Sequence, residues 1–125
     1  MPSSAESARE AVVAVLVAIE RSCLDVDAAF VERRWEDVAA SLATQEDLTA
    51  ELGALFAGAP ATAPQADEKI AQRVRGIIAY RDDQAARMHA YHAEVGRRLQ
   101  SIGRVRKFSR SIGSGAKARL LDAQY

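Results

Sequence analysis

The sequence predicts an all-α protein: a long antiparallel helical hairpin, coiled-coil-like, with a C-terminal helical extension or tail. Three observations lead there. Ala, the strongest helix former, occurs 26 times in 125 residues, and Asn does not occur. Apolar residues recur at steps of three and four over long stretches, with no strand-type alternation. Gly and Pro are scarce outside "FAGAPATAP" (56–64) and the C-terminal segment.

Taken in order, Ser3-x-x-Glu6 has capping-box spacing and opens a helix expected over about 4–57. Val12, Leu16, Ile19, Cys23, Val26 and Phe30 form a heptad seam along it. The register slips by about one position at "ERRWED" (32–37) and resumes with Trp35, Val38, Leu42, Leu48, Leu52 and Leu55. Gly58, suited to the left-handed conformation that ends helices, and Pro60 mark a turn at 58–62. Thr62 and Gln65, in capping-box spacing around Pro64, open a second helix over about 63–111. Its seam comprises Ile70, Val74, Ile77, Met88, Tyr91, Val95 and Ile102, with Leu99 beside it. Val105, Phe108 or Ser109, and Ile112 carry the spacing outward. Gly96 and Gly103 weaken this half by roughly 1 kcal/mol each relative to Ala. "SIGSG" is expected to end the helix, leaving a tail at 112–125. The whole is one helical domain, 1–125, of ordinary size.

Two helices with one seam make a thin core. Val13, Val17, Leu24, Val31, Ile78 and Leu99 are left as lateral apolar surface. Dimerisation, a folded-back C-terminal part, or a partner helix laid in the groove would cover it.

Charge is balanced overall, with 17 bases and 17 acids, but unevenly placed. From Arg97 onward there are eight bases and one acid (8 − 1 = +7); residues 1–96 hold nine bases and sixteen acids (9 − 16 = −7). An acidic body with a basic end speaks to association. Nucleic-acid binding through that end is a weaker reading, because only Phe108 is placed to stack and the body repels phosphate.

Catalytic chemistry finds little to stand on. His89 and His92 lie on adjacent helical turns, but no carboxylate precedes either by three residues, so the di-iron bundle pattern is absent. Asp82 and Asp83 point about 100° apart on a helix and read as a solvated face. Cys23, the sole cysteine, falls on the first seam as a small hydrophobe and excludes a Cys-based zinc site. No enzyme activity and no cofactor are expected. The apolar run at 11–19 is too short to span a bilayer and lacks a basic leader, so a cytoplasmic protein is expected. Trp35 reads chiefly as a half-buried filler of the register slip, and otherwise as a binding anchor.

The stretches "RRWEDVAASLATQEDLTAEL" (33–52), "RSIGSG" (110–115) and "RLLDAQ" (119–124), placed on a helical hairpin with an Ala/Pro turn, resemble the FlgN/FliT class of flagellar secretion chaperones. Ile112 stands where that class carries a Tyr before the Gly. The resemblance implies a type III secretion chaperone that holds the C-terminal amphipathic segment of a hook-associated or filament-cap protein. Such a chaperone hands its client to the export apparatus. The groove residues expected from the seam are Met88, Tyr91, Val95, Leu99, Ile102 and Val105, with Trp35, Phe108 and Ile112 as further anchors. A structural homodimeric bundle without a client is the alternative, and a regulator or nucleic-acid binder using the basic end is the second.

Overall fold

The computed structural model describes residues 3–116, with side chains as far as Arg110. They form α1 (Ser4–Val31), α2 (Trp35–Gly58), a single 3-10 turn (Pro60–Thr62) and α3 (Glu68–Ala116), with no strand among the described residues. The all-α expectation holds. The chain divides into two compact units, one up to Ala85 and one from Ala86 onward.

The capping box at the start of α1 is complete. The Glu6 N–H donates to Ser3 Oγ, and the Ser3 N–H donates to the Glu6 carboxylate. The single first helix expected over 4–57 is, however, two helices. What reads in sequence as a register slip at "ERRWED" is a reversal of the chain. Arg33 takes φ +58°, the only left-handed non-glycine residue among those described. Its N–H donates to the Phe30 carbonyl (3.0 Å), while the Arg34 N–H reaches back to the Ala29 carbonyl (2.9 Å). That pair of bonds is a Schellman closure, which normally uses Gly at the left-handed position. Here Arg supplies compensation from its side chain. Nη1 donates to the same Phe30 carbonyl at 2.9 Å, and the guanidinium lies 4.8 Å from the Phe30 ring centre and 5.9 Å from that of Trp35. The two rings meet edge to face at 5.7 Å.

The second break also differs from expectation. Gly58 is not left-handed; α2 simply ends there, with the Ala59 N–H donating to the Leu55 carbonyl. Thr62 does not cap the next helix, because its hydroxyl donates to the Ala59 carbonyl at 2.7 Å. Asp67 takes that role, so α3 begins at Glu68 and not near 63. The Asp67 Oδ1 accepts the N–H groups of Lys69 and Ile70, and its Oδ2 accepts from Arg9 Nε at 2.9 Å. At its other end α3 continues through "SIGSG" to Ala116, so the helix absorbs glycines expected to stop it. The Ile112 side chain and the tail from 117 lie outside the described residues.

Within the first unit the three helices run up, down and up. Contacts between α1 and α3 advance in step: Arg9 with Asp67, Glu20 with Arg73, Asp27 with Tyr80. α2 returns antiparallel, bringing Gln45 to Cys23. The core follows the sequence seam of α1 (Val12, Leu16, Ile19, Cys23) and adds Val15, Leu52, Ile70 and Ile77. Leu48, Leu55, Phe56 and Val74 pack against it. Burying each such side chain contributes about 1.5–3 kcal/mol.

One layer of this core is polar. Gln84 Nε2 donates to the Cys23 carbonyl (3.0 Å) and to Asp27 Oδ1 (2.7 Å), and Tyr80 donates its hydroxyl to the other Asp27 oxygen. Gln45, 1 % exposed, reaches only the Cys23 sulfur at 3.5 Å, and its Oε1 has no partner. Turning the amide over exchanges which polar atom is stranded without rescuing both.

Two predictions follow from this packing. Gln84→Leu abandons two hydrogen bonds and strips a partner from a carboxylate, so it should cost about 2 kcal/mol, whereas Gln45→Met should be neutral or stabilising by about 1 kcal/mol. Thermal and urea unfolding followed by circular dichroism compares them; equal losses at both positions would contradict the unequal layer. The second concerns Asp67, whose carboxyl is held below the usual range first by the Arg9 guanidinium and then by the Ile70 N–H. A depressed folded pKa contributes stability above the ordinary carboxylate range, lost as pH falls through the folded value. Asp67→Asn should therefore melt lower than the parent at neutral pH and converge with it in acid; a gap independent of pH would show that the charge is irrelevant.

Candidate functional site

Of the residues expected to form a binding seam, Met88, Tyr91 and Val95 are half-buried, while Leu99, Ile102 and Val105 are exposed at 64, 49 and 61 %. Phe108 is exposed at 68 %. All lie on the part of α3 belonging to the second unit. Met88, Val95 and Ile102 are seven apart, with Tyr91 and Val105 at the intervening heptad positions. The remaining intervening position is Arg98. On a straight helix a strict seven-residue repeat drifts by about 20° per heptad, so such a stripe stays aligned only when wound against another helix.

The electrostatics of this unit are one-sided. Glu94 is the only carboxylate between 86 and 116, against seven bases. It accepts from Arg97 Nη2 at 2.7 Å and from Arg98 Nε at 3.1 Å. The Arg97 contact, followed by that of Arg98, holds its carboxyl below the ordinary glutamate range. These are solvent-exposed pairs of small individual worth. Arg98 keeps its place at the heptad position, with Glu94 on the same helix as its counter-charge.

Trp35 belongs to the first unit, half-exposed at 47 %, its ring against Phe30 and the Arg33 guanidinium. It is thus part of the chain reversal. Neighbouring Val31 is also exposed, as are Val17, Leu24 and Ile78, whereas Val13 packs partly against the core.

A second concavity was not foreseen from sequence. A cleft of about 300 Å³ lies between α1 and α3, lined by Glu20, Cys23, Leu24, Arg73, Gly76, Ile77 and Tyr80. Gly76 carries the only sequence trace of it: a residue without a side chain between the core positions Val74 and Ile77, with open space where a Cβ would stand. Arg73 and Glu20 form an ion pair at this cleft. Cys23 is buried and its thiol pKa is pushed up, first by burial and less by the Asp27 and Glu20 carboxylates, against a lowering by Arg81.

No three His, Cys, Asp or Glu side chains come together as a metal site among the described residues. No described helix is long and apolar enough to cross a membrane. Compared with family models, curated proteins and solved structures, the chain matches none.

The Cys23 environment makes a direct prediction. A thiol with a raised pKa in a packed core reacts slowly, so iodoacetamide at neutral pH should label Cys23 at least tenfold faster in denaturant than in the native protein. Equal rates would place the thiol in an open, activated setting.

Proposed function

We propose that this chain is a non-enzymatic helix-binding protein that holds an amphipathic segment of another protein along the Met88–Phe108 row of α3. Within that reading the best-supported role is a flagellar export chaperone, its client the C-terminal segment of a hook-associated or filament-cap protein, kept soluble in the cytoplasm until export. One observation carries the binding reading: four large apolar side chains, Leu99, Ile102, Val105 and Phe108, stand exposed at helical spacing. They do so in a stretch that Gly96 and Gly103 weaken by about 1 kcal/mol each. A row of this kind is what a helix-in-groove partner covers. The flagellar role draws in addition on the resemblance of 33–52, 110–115 and 119–124 to that chaperone class.

A homodimer through the same row is the competing reading, since the heptad spacing of Met88, Val95 and Ile102 suits a copy as well as a client.

Leu99→Asp combined with Ile102→Asp should leave the first unit folded and weaken capture of a hook-associated or cap C-terminal peptide by a hundredfold or more, from two lost burials of about 1.5 kcal/mol or more each. Fluorescence anisotropy with labelled peptide measures it. Undiminished binding would dismiss this row as the site, and absence of binding by the parent protein would dismiss the client.

A further inference from the structure

From the charges around that row we infer the character of its occupant: an amphipathic helix of another protein flanked by carboxylates, in preference to a second copy of this chain. The inference rests on the reading that the row receives a helix. Between 95 and 110 the helix carries Arg97, Arg98, Arg104, Arg106, Lys107 and Arg110 and no acid. At 100° per residue, Leu99, Ile102, Val105 and Phe108 sweep an arc of about 180°. Arg97 and Arg104 border that arc beside Phe108, Arg110 borders it beside Leu99, and Arg106 falls just inside the Leu99 edge. Cations therefore line both flanks of the apolar row. A docked helix would present its own flanking positions to both, and carboxylates there would be matched while ammonium or guanidinium groups would be repelled.

A second copy is poorly suited to meet these charges. Parallel pairing in register sets Arg98 against Arg98 at a heptad position, with the one carboxylate of each segment, Glu94, already engaged by Arg97 and Arg98. Antiparallel pairing about residue 98, the middle of the Met88–Phe108 row, faces the four cations at 104–110 with 86–92. That stretch carries Arg87 and no carboxylate, so nothing there matches them. A lipid surface is also disfavoured. Arg98 falls in the middle of the apolar arc, where a membrane-seated face would be continuous.

The test uses the full chain and two synthetic amphipathic peptides with the same apolar heptad positions. One carries Glu and the other Lys at the flanking positions. Anisotropy titrations at low salt should show the Glu peptide binding at least tenfold tighter than the Lys peptide, with the gap narrowing as salt rises. The variant R104E/R106E/K107E/R110E, its first unit checked by circular dichroism, should reverse the order. Equal binding of both peptides would overturn the charge inference while leaving the helix-binding reading intact. Failure of both peptides to bind would remove that reading itself. A dimer persisting at micromolar concentration by sedimentation would overturn the choice of a foreign partner. Stronger binding to phosphatidylcholine–phosphatidylserine vesicles than to the Glu peptide would identify a membrane surface instead.

Discussion

The fold turns on the three residues that reverse the chain between α1 and α2. Without that reversal, 4–58 would be one rod and Gln45 could not meet Cys23. No glycine sits there. A left-handed arginine costs on the order of 1 kcal/mol, and the site offsets it locally. Two backbone bonds close the Schellman turn, the guanidinium adds a third bond to the Phe30 carbonyl, and Phe30 and Trp35 enclose the cation. Each part is modest, and together they fix where α2 begins and which face it returns to α1.

With that direction set, the remainder of the first unit is alignment. The ion pairs Arg9–Asp67 and Glu20–Arg73 lie between α1 and α3, and the Asp27–Tyr80–Gln84 cluster sets their register near Cys23. A core of Val, Leu and Ile alone tolerates sliding by a heptad, whereas a satisfied buried polar group does not. Gln84 meets that description. Gln45 does not, so part of this layer gives up stability. The second unit follows a different logic, because its apolar row is exposed and its charges are of nearly one sign.

Helix content was legible in the sequence because Ala content and three-four spacing are local properties. The α1 seam of Val12, Leu16, Ile19 and Cys23 reappears as core for the same reason. The reversal at Arg33 was not legible as a turn. Its stabilisation comes from side-chain contacts to Phe30 and Trp35, while its residues carry no Gly or Pro signal, so the pattern showed only a slip of register. At the second break Gly58 and Pro60 marked the right place but suggested the wrong device, since Asp67 caps α3 with help from Arg9, 58 residues earlier in the chain. Long-range partners of that kind leave no local signature. The exposed row on α3 could be located by spacing, whereas the cleft at Gly76 depends on which helix packs opposite and could not.

The central claim is that the row from Leu99 to Phe108 is uncovered in the free protein and becomes covered by a partner. Amide hydrogen exchange read by mass spectrometry tests it most directly. In the free protein, amides at 97–110 should exchange orders of magnitude faster than those at 12–26 and 70–77, whatever the protein concentration, because few buried contacts hold that helix closed. Protection of 97–110 equal to that of the core, rising with concentration, would contradict the account and show the row already sealed by a second copy.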